Sequence, residues 1–137
     1  MVRVPDGWTR CCIDDVAEVT SGGTPDRGVT GYWGGGIPWI STGEINFNTI
    51  YASREYITEA GLRQSSAKLL PPDTVLMAMY GQGLTRGRVA ILGLEAAVNQ
   101  NCAAIIVTVD QLPRYIYYYL EFNYLHVRSL RTRSKIK

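Results

Sequence analysis

The chain has 137 residues, of which 46% are hydrophobic and 19% charged, with a formal net charge of +2. These values are typical of one soluble globular domain, and they exclude collagen, coiled coil and wholesale disorder. No apolar run approaches the ~20 residues of a membrane span. The N-terminal stretch MVRVPDGWTR lacks the apolar core of a secretory signal. The sequence therefore predicts a cytoplasmic protein without a membrane segment.

The first half of the chain predicts short elements separated by glycine-bearing loops. CCIDDVAEVTSGG indicates a helical turn that runs into a strand ending at glycines, and TPDRGVTGYWGGG indicates a polar loop. IPWIST indicates a short strand, whose proline favours a sheet edge or a strand start. GEINFNTIYASREYI alternates weakly, like an irregular strand pair. Thr58 has the chemistry of an N-cap for one or two helical turns that end before Pro71.

The second half predicts three stronger strands and a helix. TVLMAMY has the continuous apolar run of a strand buried on both faces, and RVAILG and CAAIIVTV are two further strands. Asp110 is placed to cap a helix through about Leu130. The apolar residues at helical spacing on its buried face are Leu112, Ile116, Leu120, Val127 and Leu130. The mixed, non-alternating order predicts a single α+β domain with a mixed, twisted β-sheet, short helices and a C-terminal helix.

Metal binding and independent catalysis find little support in the residues. Cys11, Cys12 and Cys102 form no C-x-x-C motif, and His126 is the single histidine, so no metal site is expected. His126 beside the basic tail is better explained as a solvent-facing side chain than as a catalytic base. GQGLTRG lacks the P-loop lysine and SGGTP lacks G-x-G-x-x-G, so no nucleotide cofactor is expected either.

Charge is distributed unevenly along the chain. Residues 1–127 carry nine Lys and Arg against twelve Asp and Glu, a formal charge of −3, whereas residues 128–137 carry five basic residues and no acid. A basic tail can meet phosphate, or it can be the solvated end of a helix, where cations suit the helix dipole. Charge alone favours the solvated end.

Nucleic-acid binding explains more of the polar loops than enzyme chemistry does. Glycine loops let backbone N–H groups approach phosphates, arginine suits bidentate contacts to phosphate or guanine, and side-chain amides can read adenine edges. Each feature also has a structural explanation: turn geometry for the glycines, core packing for Trp39 and Tyr80, and loop hydrogen bonding for the amides of AVNQNCAAI. The residues alone leave both explanations open.

Five segments taken in chain order carry a more specific signal. They are DVAEVTSGGTP, YWGGGIPWISTGEI, EYITEAGLRQSSAKLLPPDTVLMAMYGQG, TRGRVAILGLEAAVNQNCAAI and YIYYYLEFNYLHVRSL. Together they resemble the target recognition domain of type I restriction–modification DNA specificity subunits, from about Trp8 to Leu130. The resemblance implies a DNA methylase specificity domain-like fold over residues 3–130. It also implies a non-catalytic module that reads one half of a bipartite target in double-stranded DNA for associated methyltransferase and motor/nuclease restriction subunits.

The chain departs from this family at its C-terminal end. The family usually continues after the tyrosine-rich helix into a returning strand and a long spacer helix, whereas residues 131–137 here form a basic tail. The resemblance therefore implies half of a specificity subunit, without the spacer helix that docks methyltransferase subunits and without a second recognition domain. An uncovered sheet edge would favour self-association. The alternative is a truncated structural or protein-interaction fragment without useful DNA affinity.

Under this interpretation, three groups of loop residues are the candidate DNA contacts. The first group is Gly81, Gln82, Gly83, Thr85 and Arg86. The second group, whose amides and hydroxyl can hold phosphate, is Ser21, Gly22, Gly23, Thr24 and Arg27. The third group is Trp39, Ser41, Thr42 and Glu44. Glu44 can accept a hydrogen bond from a cytosine amino group. Replacing Arg86 by alanine is expected to weaken DNA binding.

Overall fold

The structure, a computed structural model, describes residues 3–81, 83–110 and 112–130. The strands are β1 (Ala17–Ser21), β2 (Trp33–Ile40), β3 (Asn48–Ile50), β4 (Glu55–Ile57), β5 (Val75–Ala78), β6 (Val89–Leu92), β7 (Ala97–Val98) and β8 (Cys102–Val107). The helices are α1 (Ile13–Val16), α2 (Glu59–Arg63), α3 (Pro113–Phe122) and α4 (Tyr124–Ser129). Within these ranges no helix has the length and apolar character needed to cross a membrane.

The described strands form two mixed sheets. The large sheet has the order β1–β8–β5–β6–β3, in which the β6–β3 pair is parallel and the other pairs are antiparallel. The small sheet has the order β4–β2–β7, with β2 antiparallel to β4 and parallel to β7. The strand pair expected from GEINFNTIYASREYI is wrong, because its two strands, β3 and β4, lie in different sheets. Strand β3 pairs with β6, and β4 pairs with β2.

The large sheet is buried on both faces. Helix α3 covers one face with Ile116, Tyr117 and Leu120, which pack against side chains of β5, β6 and β8. On the other face, apolar residues of the same strands pack against Ile40 of β2 and Val98 of β7 in the small sheet. All four residues of β6 are buried. This two-sided burial, predicted for β5, explains why β5, β6 and β8 have uninterrupted apolar sequences.

Two features of the small sheet follow from single residues. Thr58 is the N-cap of α2, as predicted, because its Oγ1 accepts a hydrogen bond from the Gly61 N–H at 3.1 Å. Pro38 lies in β2, the central strand, and not at a sheet edge or a strand start. It is tolerated there because β7 pairs only with Trp39 and Ile40, so Pro38 has a neighbouring strand on the β4 side alone.

The predicted C-terminal helix is broken into two. Helix α3 begins with Pro113 after the N-cap Leu112, not after Asp110, and it ends at Phe122 with Asn123 as its C-cap. The Asn123 side chain donates a hydrogen bond to the Tyr119 carbonyl oxygen at 2.8 Å, and α4 begins at the next residue. Leu130, predicted on the buried face, follows the last residue of α4 in an extended conformation and is 59% exposed.

Candidate nucleic-acid interface

The second predicted group begins with two glycines that are packing residues. Gly22 and Gly23 are buried where β1 leaves the large sheet. A Cβ atom on Gly22 would lie 1.9 Å from the Val98 carbonyl oxygen, and one on Gly23 would lie 2.6 Å from the backbone nitrogen of Ala67. The Gly23 N–H also donates to the Val98 carbonyl oxygen at 3.0 Å. These glycines therefore let three backbone segments meet, and their amides do not face solvent.

Polar groups surround this crossing on the outside. The Lys68 ammonium donates to the Thr20 hydroxyl at 2.6 Å and to the Ser21 carbonyl oxygen at 3.3 Å. The Thr24 hydroxyl donates to Oε1 of Gln100. Lys68, Ser21 and Gln100 are exposed. No local pattern singles out Lys68, because 47 residues separate it from Ser21.

Arg27 lies at the far end of the same segment and makes the most organised set of contacts there. Its Nη1 and Nη2 atoms donate to the two carboxylate oxygens of Glu55, at 2.5 and 3.1 Å. Its guanidinium carbon lies 4.1 Å from the ring centroid of Trp33 and 5.1 Å from that of Trp39. The two indole rings meet edge to face, 5.3 Å apart. Arg27 is thus held by two rings and a carboxylate while its side chain stays 57% exposed.

Glu55 completes this cluster and shapes its charge. The hydrogen bond from Arg27 lowers the pKa of Glu55 from its ordinary value, with the charge of Arg27 acting in the same direction, while partial burial opposes the shift. The same hydrogen bond raises the pKa of Arg27. Both groups are therefore charged at neutral pH. Sequence reasoning gave Glu55 no part in DNA contact, because nothing local pairs it with an arginine 28 residues earlier.

A shallow pocket adjoins the Arg27–Glu55 pair. Strand β2 bulges between Trp33 and Ile37, where Gly34 has a φ of +81°, a conformation that favours glycine. The bulge leaves an open depression lined by Trp33, Gly34, Gly35, Arg54, Glu55 and Tyr56. A Cβ atom on Gly34 or Gly36 would meet nothing within 4 Å, so the backbone of the bulge is accessible from outside.

The third predicted group makes most of its contacts within the protein. Trp39 is 3% exposed, and its indole N–H donates to the Gly23 carbonyl oxygen at 2.9 Å. One carboxylate oxygen of Glu44 accepts from the N–H and hydroxyl of Ser41, at 2.8 and 3.1 Å. The other accepts from the Arg54 N–H at 2.9 Å, and it lies 3.3 Å from the Ser53 hydroxyl, which donates to the Trp39 carbonyl oxygen at 2.6 Å. Three donors thus hold the Glu44 carboxylate within the protein, which leaves it little hydrogen-bonding capacity for a cytosine amino group.

Ser41 and Thr42 belong to the same arrangement. Ser41 is the N-cap of a short 3-10 turn at Thr42–Glu44, and Glu44 returns to the Ser41 N–H in a capping box. Both Ser41 and Thr42 are half-buried. Their hydroxyls were chosen from sequence as DNA contacts, but the local pattern S-x-x-E is the signature of this cap. The cap orients the turn that carries the chain from the small sheet towards β3.

The first predicted group lies in the hairpin that joins β5 and β6, and its arginine faces the protein. Arg86 Nη2 donates to the Arg128 carbonyl oxygen at 2.9 Å, and Arg128 Nη1 donates back to the Arg86 carbonyl oxygen at 2.6 Å. Arg128 also reaches the Gly83 carbonyl oxygen at 3.2 Å, and the Tyr124 hydroxyl donates to that of Leu84. The hairpin is therefore docked on α4.

The rest of this hairpin is more open. Gly81 and Gly83 are exposed and Thr85 is half-buried, whereas Gln82 lies outside the described residues. Gly83 has a φ of +59°, and a Cβ atom there would meet nothing within 4 Å. A Cβ atom on Gly81 would instead lie 2.7 Å from the Thr85 side chain. The glycines therefore serve turn geometry, and the backbone at the tip remains accessible.

The amides of AVNQNCAAI have a structural role at their first position. Asn99 is 9% exposed, and its Oδ1 accepts from the Asn101 N–H at 3.0 Å and the Cys102 thiol at 3.3 Å. This side chain shapes the turn before β8. Burial raises the pKa of the Cys102 thiol to about 12, so it is a poor nucleophile. Among the described residues no cluster of three His, Cys, Asp or Glu side chains could hold a metal ion.

The chain is similar to known specificity proteins over most of its length. Residues 5–137 match the family model described as type I restriction modification DNA specificity domain. The chain is 34% identical over 119 residues to the type I restriction enzyme MjaIX specificity subunit of Methanocaldococcus jannaschii, a match that covers 85% of this chain and 27% of that protein. It is 30% identical over 108 residues to the EcoR124I/EcoR124II specificity subunit of Escherichia coli, covering 77% of this chain and 27% of the relative. The chain thus spans 27% of the length of these curated relatives.

Solved structures show the same fold. The HsdS subunit from Thermoanaerobacter tengcongensis aligns with a TM-score of 0.72 and 17% sequence identity, covering 96% of this chain and 32% of that one. A second structure, described as the structural basis of complex assembly and conformational transition of the type I R-M system, aligns with the same TM-score over 94% of this chain and 31% of that one. The α+β specificity-domain fold expected from the sequence is confirmed.

Proposed function

Because the chain belongs to the family of type I restriction modification DNA specificity domains, we propose that it is a sequence-specific DNA-binding module. It reads one half of a bipartite target and supplies recognition without catalysis. The observation that carries this proposal is the family match over residues 5–137, together with 34% identity to a specificity subunit. The alternative, an interaction fragment without DNA affinity, has no comparable support.

The DNA-facing surface in this proposal is the outer side of the segment from Ser21 to Arg27, extended by Lys68 and by the backbone of the β2 bulge. Lys68 is an exposed cation at the Ser21 end of that segment, whereas Arg27 at the other end is paired with Glu55. Cations at fixed positions supply the phosphate attraction on which DNA affinity rests. A second strip is formed by three residues of the β5–β6 hairpin, Gly81, Gly83 and Thr85. Arg86, Trp39 and Glu44 contact other parts of the protein, and in this proposal they position the DNA-facing segments.

Assembly with methyltransferase and restriction subunits belongs to the same proposal. Its support is the likeness to a structure described in terms of complex assembly of the type I R-M system. Action in the cytoplasm, where such a system meets DNA, follows from the same role. Self-association is a further part of the proposal. It rests on β1, an edge strand of the large sheet, and on the exposed aromatic face of α3, where Phe122 is 90% exposed.

The experiment is binding of the chain to a randomised duplex library at moderate salt, with sequencing of the retained DNA. A short enriched motif is the expected result. Lys68→Ala should weaken binding several-fold across all sequences and make the dependence of log K on log salt shallower by about 0.9 for one lost phosphate contact. Arg114→Ala is the matched control, because Arg114 is exposed on α3, across the large sheet from the small sheet. A folded chain that retains no duplex would overturn the proposal.

A further inference from the structure

The ion pair of Arg27 and Glu55 differs from an ordinary surface ion pair because its geometry is fixed by neighbouring side chains. Two aromatic rings fix the guanidinium, at 4.1 and 5.1 Å from its carbon, so it cannot sample the many rotamers of a free arginine. The carboxylate that pairs with it sits at the first residue of β4, a strand of the small sheet. Both groups are therefore held in place by rigid elements while both remain accessible.

The pair keeps hydrogen-bonding capacity after its own contacts are made. Arginine has five N–H donors, and Glu55 accepts one from Nη1 and one from Nη2, so three donors remain. Each carboxylate oxygen of Glu55 accepts one hydrogen bond from Arg27 and keeps a second lone pair. The cluster thus presents a row of donors beside a row of acceptors, in a fixed order along the surface.

This order matches one base pair in the major groove. Guanine presents two acceptors there, O6 and N7, and its cytosine partner presents one donor, the N4 amino group. An adenine in the position of guanine would place its N6 donor against Arg27, and its thymine partner would place the O4 acceptor against the carboxylate. The arrangement therefore favours a G·C pair. It disfavours an A·T pair, because a donor would face a donor at Arg27 and an acceptor would face an acceptor at Glu55.

A phosphate group is a poorer match for the same cluster. An isolated arginine is attracted to any phosphate, but the pair of Arg27 and Glu55 has no net charge. The carboxylate would also repel the phosphate oxygens. Attraction that is independent of sequence is thereby reduced, while hydrogen bonding to a base edge is preserved.

We propose that Arg27 and Glu55 act as one unit that reads a single G·C base pair in the major groove, with Arg27 donating to guanine O6 and N7 and Glu55 accepting from cytosine N4. Trp33 and Trp39 are positioning residues for this unit. The inference rests on the proposed function and adds to it the chemistry of one recognised base pair. It transfers to Glu55 the cytosine contact that the sequence suggested for Glu44.

The test is selection from a randomised duplex library with the full-length chain and three variants, Arg27→Ala, Arg27→Lys and Glu55→Gln. The wild-type motif is expected to contain one G·C position. Arg27→Ala should relax the preference at that position alone by about 10- to 100-fold, and Glu55→Gln by about 3- to 10-fold. Arg27→Lys keeps the charge but loses the planar fork, so it should relax the same position. Glu95→Gln, an exposed acid elsewhere, is the control and should leave the motif unchanged.

The outcomes separate this inference from the proposed function. If the affinity of the variants falls by the same factor for all sequences and the wild-type motif is kept, Arg27 contacts phosphate only. The inference then fails, while the proposed function stands. If Glu55→Gln changes neither motif nor affinity, the carboxylate has only a structural role and the inference fails likewise. If the folded wild-type chain enriches no motif, the proposed function fails with it. Thermal unfolding of every variant identifies loss of fold, and Glu55→Asp, which keeps the carboxylate, should retain the G·C preference.

Discussion

Two glycine-rich segments of this protein have similar compositions, but their arginine side chains have different partners. The segment from Gly22 to Gly36 and the β5–β6 hairpin around Gly81 to Arg88 are both rich in glycine, and both carry arginine. In the hairpin, Arg86 is bound to the carbonyl oxygen of Arg128, and the loop is docked on α4. In the first segment, Arg27 is directed to a carboxylate at the surface. The partner that the fold brings to each arginine decides its role, and that partner is 42 residues away in one case and 28 in the other.

The glycines divide in the same way. Gly22 and Gly23 are needed for the contact of backbone with backbone, whereas Gly31, Gly34 and Gly36 face open space. One segment therefore contains a rigid base and an accessible tip. A loop of this construction can vary at its tip while its base holds the two sheets together, which is what a recognition surface on a stable scaffold requires.

The largest expected effect comes from the rigid base. Gly22→Ala would place a methyl group 1.9 Å from the Val98 carbonyl oxygen, so the backbone must move. We expect the free energy of unfolding to fall by about 3 kcal/mol or more, measured by chemical denaturation. Gly31→Ala, in the same segment but with nothing within 4 Å, is the matched control and should change stability by less than about 1 kcal/mol. Equal effects of the two substitutions would remove the distinction between base and tip.

The second effect tests the docked hairpin. Arg86→Ala removes a half-buried hydrogen bond to the Arg128 carbonyl oxygen, and we expect a loss of about 1 kcal/mol in the free energy of unfolding. The slope of log K against log salt for random duplex DNA should stay at the wild-type value, because Arg86 itself contacts no phosphate, in contrast to the effect expected from the sequence. A decrease in affinity with a shallower salt dependence, at unchanged stability, would instead place the Arg86 side chain on the DNA and remove the contrast between Arg86 and Arg27.

Local chemistry was enough to predict much of the scaffold. The apolar runs of β5, β6 and β8 identified three strands because burial on both faces of a sheet leaves few polar positions. Thr58 was recognisable as an N-cap because the cap is made within three residues. The family was identified from five motifs in a fixed order, since five ordered segments are far more specific to one family than a single segment is. In each case the physical cause lies within a short stretch of chain or in a match along all of it.

The candidate site was predictable only in part, because its contacts are long-range. Arg27 was among the predicted DNA contacts, but its partner Glu55 and the nearby Lys68 were not, since no local pattern links them. Glu44, also a predicted DNA contact, differs because its partner is local. Its capping box with Ser41 follows the pattern S-x-x-E, which indicates a structural role. Residue type shows what a side chain can do, whereas the fold determines which lone pairs remain available.

The smallest effect concerns the charge of the Arg27–Glu55 pair in the absence of DNA. The pKa of Glu55 is lowered in the folded chain, chiefly by the hydrogen bond from Arg27. A carboxyl with a lowered folded pKa contributes stability above its unfolded pKa, about 4.3, and loses it as the pH falls through the folded value. The side chain is 39% exposed, so solvent screening limits the contribution to a few tenths of a kcal/mol.

Wild type should therefore be slightly more stable than Glu55→Gln at pH 7, and the difference should disappear as the pH drops below the folded pKa of Glu55. Matched denaturation curves at several pH values measure this difference directly. Glu95→Gln serves as the control for the removal of one negative charge at a different surface position. A difference of several kcal/mol at pH 7 would mean that Glu55 is a structural anchor for the segment, and the contrast between a surface arginine at Arg27 and a docked one at Arg86 would then be lost.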